Sequence, residues 1–279
     1  MIKNILFSIA FLFTINIAIS QNKAINAEVL GKGKPILFLP GFTTPGSIWK
    51  ETVKNLTVTK EAHLISYAGF NGMDPIEMPW YSSIKKELII YIKKNNLQDV
   101  EIIGHSMGGT LAVDIAAALP NLVTKIILVD ALPCMREVMM PNVPDTSIQY
   151  ESPYNNQMLK MDDVQFKGMA TMMATNMTDN KEKVETVMNW ILEADRKTYV
   201  YGYTDLLKLD LRNDLSKIKA KALILGAPTY GTIAKESMEK QYANLANKTV
   251  EMAPSGKHFI MFDESEWFYK KVNTFLTSE

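Results

Sequence analysis

Val100-Glu101-Ile102-Ile103-Gly104-His105-Ser106-Met107-Gly108-Gly109 is the stretch on which the reading of this chain turns. Val100–Ile103 is a short apolar run of strand type, and Met107–Leu119 carries apolar residues at helical spacing. The pattern Gly104-x-Ser106-x-Gly108 between them leaves one serine on a sharp strand-to-helix turn. On such a turn the serine backbone is strained and its hydroxyl projects into solvent at the carboxyl end of the sheet. A Cβ at position 104 or 108 would collide with the neighbouring strand or helix. The helix start behind Ser106 supplies backbone N–H groups that have no partner within the helix, at the positive end of its dipole. The N–H of Met107 is therefore placed to stabilise an oxyanion.

Outward from this turn, short apolar runs alternate with helical patterns. Ile25–Leu30 and Pro35–Pro40 flank Gly31-Lys32-Gly33-Lys34 and read as a hairpin or strand pair. Ala62–Ser66, Lys125–Asp130, Lys221–Gly226 and Thr249–Ala253 are further strands. Continuous Ile, Leu and Val in VEIIG, KIILVD and KALILG suits strands buried on both faces, as in a parallel sheet. Tyr81–Asn96, Met107–Leu119, Ile233–Ala246 and Glu264–Leu276 read as the helices between them, and Asp263-Glu264-Ser265-Glu266 reads as a capping box for the last. The alternation predicts an α/β fold with right-handed crossovers. It stops between Pro133 and Asp210, where Asn155–Met177, Asn180–Ala194 and Arg196–Leu209 read as helices with no strand among them. The layout is thus a body of residues 21–132 and 210–279, interrupted by a helical lid at 133–209.

The ends and the composition narrow the function. Met1–Ser20 has a positive start at Lys3, an apolar run over Ile5–Ile19 and small residues before Gln21, the pattern of a secretory signal peptide. That run is short for a membrane span. The expectation is export, to the periplasm or outside the cell, with no stable membrane insertion of the mature chain. The 279 residues carry 30 Lys plus Arg and 30 Asp plus Glu, and that balance argues against a nucleic-acid partner, which needs a basic face. One cysteine, Cys134, excludes an intrachain disulfide and a cysteine-rich zinc site. With only three histidines, a metal site is not expected.

These segments resemble the α/β-hydrolase superfamily over nearly all of residues 21–279. The resemblance rests on Leu39-Pro40-Gly41-Phe42, the Gly104–Gly109 turn, Val129-Asp130-Ala131-Leu132-Pro133, Asp210-Leu211-Arg212 before Leu223–Gly226, and Lys257–Asp263 around His258. Gly69-Phe70-Asn71-Gly72 also resembles a stretch found in a subgroup of uncharacterised hydrolases. The resemblance implies a mostly parallel, doubly wound sheet of about eight strands, with no cofactor.

A serine nucleophile needs a histidine base from another loop. His105 lies within the turn and His63 in a strand, which leaves His258, beyond the last strand, where the superfamily keeps its base. The acid is less direct. The superfamily usually carries it after the strand Lys221–Gly226, but Ala227–Thr232 has no Asp or Glu. Some members carry it one strand earlier, where Asp130 stands; Asp205 and Asp210 remain alternatives, and Asp263 reads as a helix cap. The resemblance places the second oxyanion donor at the backbone N–H of Phe42, with Pro40 where relatives often have His.

Ser106, His258 and Asp130 with these donors imply acyl transfer to water: cleavage of an ester, thioester or similar carbonyl compound through an acyl-enzyme. An acyltransferase or lyase with the same residues, or a binding protein that kept the fold, are the alternatives. The partner expected is a small-molecule substrate; oligomeric state is not readable. Ten of the 17 methionines fall between positions 134 and 190. Met169, Met172, Met173 and Met177 therefore read either as an adaptable apolar pocket over Ser106 or as packing between lid helices.

Overall fold

In the computed structural model, which describes residues 23–228 and 235–278, the apolar runs become a seven-stranded sheet. The strands are β1 (Ile25–Gly31), β2 (Lys34–Leu39), β3 (Lys60–Tyr67), β4 (Val100–His105), β5 (Val123–Val129), β6 (Lys221–Gly226) and β7 (Lys248–Met252). Their order is β1-β3-β2-β4-β5-β6-β7, and every pairing is parallel except β1 with β3. Seven strands stand among the described residues where about eight were expected. The expected signal peptide, residues 1–20, lies outside the described residues.

One local expectation is corrected. Ile25–Leu30 and Pro35–Pro40 do not pair with each other, because β3 lies between them. Gly31 sits opposite Glu61 and Lys34 opposite Lys60, so the short Gly31–Lys34 link passes over the start of β3 instead of closing a hairpin. A turn signal fixes the reversal of the chain but not which strand fills the gap.

The central strands are buried on both faces, which is why their sequences lack alternation. Leu37, Ile103, Ile126 and Ile224 are inaccessible or nearly so, and truncating any of them to Ala would cost about 2–5 kcal/mol. The helices outside the lid are α1 (Lys50–Lys54), α2 (Trp80–Lys94) and α3 (Met107–Ala118) before it, and α9 (Lys235–Gln241), α10 (Ile260–Asp263) and α11 (Ser265–Thr277) after it. Helix α2 packs through Trp80, Ile84, Leu88 and Ile92, an i, i+4 stripe. Helix α3 is buried at every residue from Met107 to Ala116, since it lies against the sheet centre. The expected capping box of α11 is absent: Glu264 is its N-cap and makes no side-chain cap bond, because the Asp263 carboxylate is engaged elsewhere.

Between β5 and β6 the chain is helical, with α4 (Arg136–Met139), α5 (Pro153–Lys160), α6 (Asp163–Met177), α7 (Lys181–Leu192) and α8 (Arg196–Lys208). The single helix expected over Asn155–Met177 is two. Asp162 starts α6 with a reciprocal capping box to Gln165, and this local bond ends the preceding helix. Among the described residues no helix is long and apolar enough to cross a membrane.

Candidate active site

Ser106 has φ 53° and ψ −124°, a backbone region that L-residues rarely occupy and that costs about 1–3 kcal/mol. Three hydrogen bonds over-determine it. Its N–H donates to Val129 O at 2.8 Å, and its carbonyl accepts from Gly109 N at 2.8 Å and Thr110 N at 3.1 Å. The two flanking glycines are needed for close approach: a Cβ on Gly104 would lie 2.2 Å from Gly108 O, and one on Gly108 would lie 2.1 Å from Leu39 O.

The loop after β2 packs against this turn. Thr44 N donates to Gly41 O at 3.1 Å, with Thr43 in the left-handed region at φ 64°, so Gly41–Thr44 forms a tight turn beside Ser106. Gly41, Phe42, Ser106 and Met107 all face the same cavity. Met107 is the first residue of α3, so its N–H has no partner within the helix.

The Gly69–Gly72 stretch braces the turn. Asn71 Nδ2 donates to Thr43 O at 2.8 Å, and the Phe70 ring packs edge-on against Phe42 at 4.9 Å. Sequence reasoning singled out this stretch but assigned it no role. Its contact partners are some 28 residues away in the chain, which local pattern cannot reveal.

His258 and Asp130 are both buried, and the ring Nδ1 lies 2.6 Å from Asp130 Oδ2. The carboxylate accepts, so the neutral ring carries its proton on Nδ1 and its lone pair on Nε2. Asp130 is itself fixed: Oδ1 accepts from Ala227 N at 3.0 Å, and its own N–H donates to Leu225 O at 2.7 Å. The structure thus brings Asp130 to His258 from the end of β5. The other acids are engaged elsewhere. Asp210 holds Arg212 through two bonds of 2.8 and 2.6 Å, and that guanidinium pulls its carboxyl below the usual range. Asp205 accepts from Tyr81 N at 3.1 Å and Tyr150 Oη at 2.5 Å.

His105 has a supporting position. Its Nε2–H donates to the carbonyl of His258 at 2.9 Å, and the two rings lie 4.5 Å apart. Burial, then the neighbouring His258, holds its pKa well below the ordinary histidine value, so it is neutral. His63 is buried on β3, bonded to Tyr91 Oη at 2.7 Å and Glu61 at 3.0 Å, away from the site.

A cavity of about 190 Å³ lies over Ser106 and is also lined by His258 and Asp130. Its other walls are mostly apolar, from the loop after β5, the lid and α9. Met173 and Met177 line it, with Met135, Val138, Met139, Tyr199, Tyr203 and Met238. Two of the four expected lid methionines are corrected. Met172 is 60% exposed on the outside of α6. Met169 packs inside the lid near the Tyr199 hydroxyl, 3.9 Å away, and does not line the cavity. The Tyr199 hydroxyl lies 3.2 Å from the Met173 sulfur. Apart from Asp130 and the titratable histidines, no ionisable acid, lysine or arginine lines the cavity among the described residues. No group of residues suited to a metal is present among them. Cys134 is buried, and burial raises its thiol pKa, as befits a packed residue.

Comparison with known proteins shows the family and the fold. A family model described as the alpha/beta hydrolase fold matches residues 34–265. A pimeloyl-[acyl-carrier protein] methyl ester esterase of Wigglesworthia glossinidia brevipalpis is 24% identical over 204 residues, covering 70% of this chain and 75% of that protein. Among solved structures, an esterase from Exiguobacterium antarcticum superposes with a TM-score of 0.78 at 19% identity, covering 92% of this chain and 98% of the other. A hydrolase from Oleispira antarctica superposes with a TM-score of 0.78, also at 19% identity, over 92% and 96% of the two chains. With a family model matching residues 34–265, most of its length, the chain belongs to the alpha/beta hydrolase fold family.

Proposed function

We propose that this chain is a serine hydrolase that cleaves esters, thioesters or similar carbonyl compounds with an uncharged, small or apolar acyl group. The observation that carries the proposal is the buried 2.6 Å bond from His258 Nδ1 to Asp130, in a cavity shared with a serine held on a strained turn. In the reaction, His258 Nε2 takes the Ser106 hydroxyl proton as Oγ attacks the substrate carbonyl carbon. The backbone N–H groups of Met107 and Phe42 hold the oxyanion, and Asp130 stabilises the imidazolium. The imidazolium returns its proton to the leaving alcohol or thiol as the carbon–leaving-group bond breaks. Water then repeats the sequence on the acyl-enzyme, releasing the acid and restoring Ser106. The methyl ester named for the Wigglesworthia relative supports an ester as the bond cleaved.

The walls support the substrate class. The cavity of about 190 Å³ suits a small acyl group. A carboxylate or phosphate buried there would meet no lysine or arginine among the described residues and would be poorly accommodated. The test compares 4-nitrophenyl pentanoate with the mono-4-nitrophenyl ester of glutaric acid, equal in length but ending in a carboxylate. The expected kcat/KM ratio is at least tenfold in favour of pentanoate, and equal rates would refute the class. Competition between water and added alcohol separates hydrolysis from acyl transfer. We further propose export with cleavage before Gln21, supported by Lys3 and the Ile5–Ile19 run. A mature protein that still begins at Met1 would contradict it.

A further inference from the structure

The loop that carries His258 is fastened to the lid through the backbone of Thr175, Met177, Asp179 and Asn180, and one carboxylate stands at the centre of the fastening. Asp263 Oδ1 accepts from Thr178 Oγ1 at 2.6 Å, Asp179 N at 3.0 Å and Asn180 N at 3.2 Å, all in the turn between α6 and α7. Asp263 Oδ2 accepts from Lys257 N, the residue before His258, at 2.8 Å. Phe259 N, the residue after His258, donates to Met177 O at 3.0 Å, at the end of α6. Lys257 Nζ adds a bond to Thr175 O at 3.0 Å and an ion pair with Asp179 at 2.9 Å. The carbonyl of His258 itself is held by His105.

We infer that Asp263 is a positioning residue for His258, holding the histidine loop and the α6–α7 turn of the lid as one unit. The inference rests on the serine-hydrolase reading above. Met177 links the two functions physically: its side chain lines the cavity and its carbonyl holds the residue next to the base. Seating of the α6–α7 turn therefore sets where the imidazole stands relative to Ser106. The carboxylate suits this task because its two oxygens split the work, Oδ1 to the lid and Oδ2 to the loop. An amide at this position leaves one acceptor. If its oxygen keeps the three lid donors, its NH₂ opposes the Lys257 N–H.

The experiment measures kcat and KM for 4-nitrophenyl pentanoate in Asp263→Asn, Asp263→Ala and Thr178→Val. It also measures the rate of Ser106 modification by a phosphonate and the downfield proton signal of the His258–Asp130 bond. All are read at a temperature where circular dichroism shows each variant folded. Displacement of a reacting group by about 1 Å costs about 100-fold. The expectation for Asp263→Asn is thus a 10- to 100-fold fall in kcat with KM within about twofold. Phosphonylation slows in parallel, and the downfield signal shifts or broadens. Thr178→Val, which keeps the backbone donors, falls less. A purely structural role would lower the melting temperature and leave these readouts unchanged; that result in Asp263→Asn overturns the inference. If Asp263→Ala does not fold, Asp263→Asn and Thr178→Val decide. A wild-type protein that hydrolyses no ester and takes no phosphonate would instead defeat the serine-hydrolase reading itself.

Discussion

Asp130→Asn is the substitution whose consequence the geometry specifies most fully. The two carboxylate oxygens face two donors, Ala227 N–H at 3.0 Å and His258 Nδ1–H at 2.6 Å. An amide of the same shape offers one acceptor and one donor. Turning its NH₂ toward Ala227 would set two buried donors against each other, at a cost of about 1–3 kcal/mol. The alternative keeps the oxygen on Ala227 N–H and points NH₂ at His258, so Nδ1 must accept and the ring proton moves to Nε2. That tautomer presents a hydrogen to Ser106 where a lone pair is required. The expected loss in kcat is ~10⁴-fold, the magnitude found when the triad aspartate of a serine protease is replaced by asparagine, or about 5 kcal/mol of transition-state stabilisation. KM should stay within about twofold, because the cavity walls are unchanged. Steady-state hydrolysis of 4-nitrophenyl pentanoate is the assay, with Ser106→Ala setting the background. A kcat within tenfold of wild type would refute the role of Asp130 and reopen the assignment of the acid.

Other predictions follow from the same contacts. Because burial holds the folded-state pKa of His105 well below its unfolded value near 6.5, the unfolded chain binds the extra proton first. Stability is then complete above pH 6.5 and falls by about 1.4 kcal/mol per pH unit as pH drops from there toward the folded pKa; thermal melts from pH 7.5 to 5 should be less steep in pH for a folded His105→Gln variant, and an identical slope would refute the assignment. Met173→Ala and Met177→Ala should shift the preferred ester toward longer chains, whereas Met172→Ala, on the outer face of α6, should not. Met139→Lys adds a cation at a residue that both lines the cavity and is 56% exposed; it should raise the glutarate-to-pentanoate ratio about tenfold, with Met172→Lys as the unaffected control. Asn71→Ala removes the bond to Thr43 O and should lower kcat about tenfold by loosening the turn that carries Phe42, a change that an ester assay reads directly.

The parallel core was legible because strands buried on both faces need continuous apolar runs, and VEIIG, KIILVD and KALILG show them without ambiguity. The Ser106 turn was legible because its pattern is local: Gly104 is forced by a backbone contact four residues on, while the contact that forces Gly108 comes from β2. Asp130 was harder. The distance in sequence to His258 is 128 residues, and only its place after β5, by resemblance, favoured it over Asp205 and Asp210. The structure separates these three by what each carboxylate touches, which no local pattern encodes. The lid methionines show the limit of periodicity. Met172 lies about 100° around the helix from Met173 and so faces outward, while Met169, in the same i, i+4 row as Met173 and Met177, lies one turn too far along the helix to reach the cavity. The β1–β2 pairing failed because a turn says nothing of a third strand inserted between its arms. The role of Asp263 was read as a helix cap because an acid before a helix is the common signal; its real partners lie some 84 residues earlier, in the lid.

The central claim is that Ser106 is a nucleophile activated by His258. Its most direct test is intact and peptide mass spectrometry after treatment with a serine-directed phosphonate. The account predicts a single adduct, located on Ser106, that is lost in Ser106→Ala and forms far more slowly in a folded His258→Ala variant. A folded wild-type protein that takes no adduct, or takes it at another residue, would contradict it.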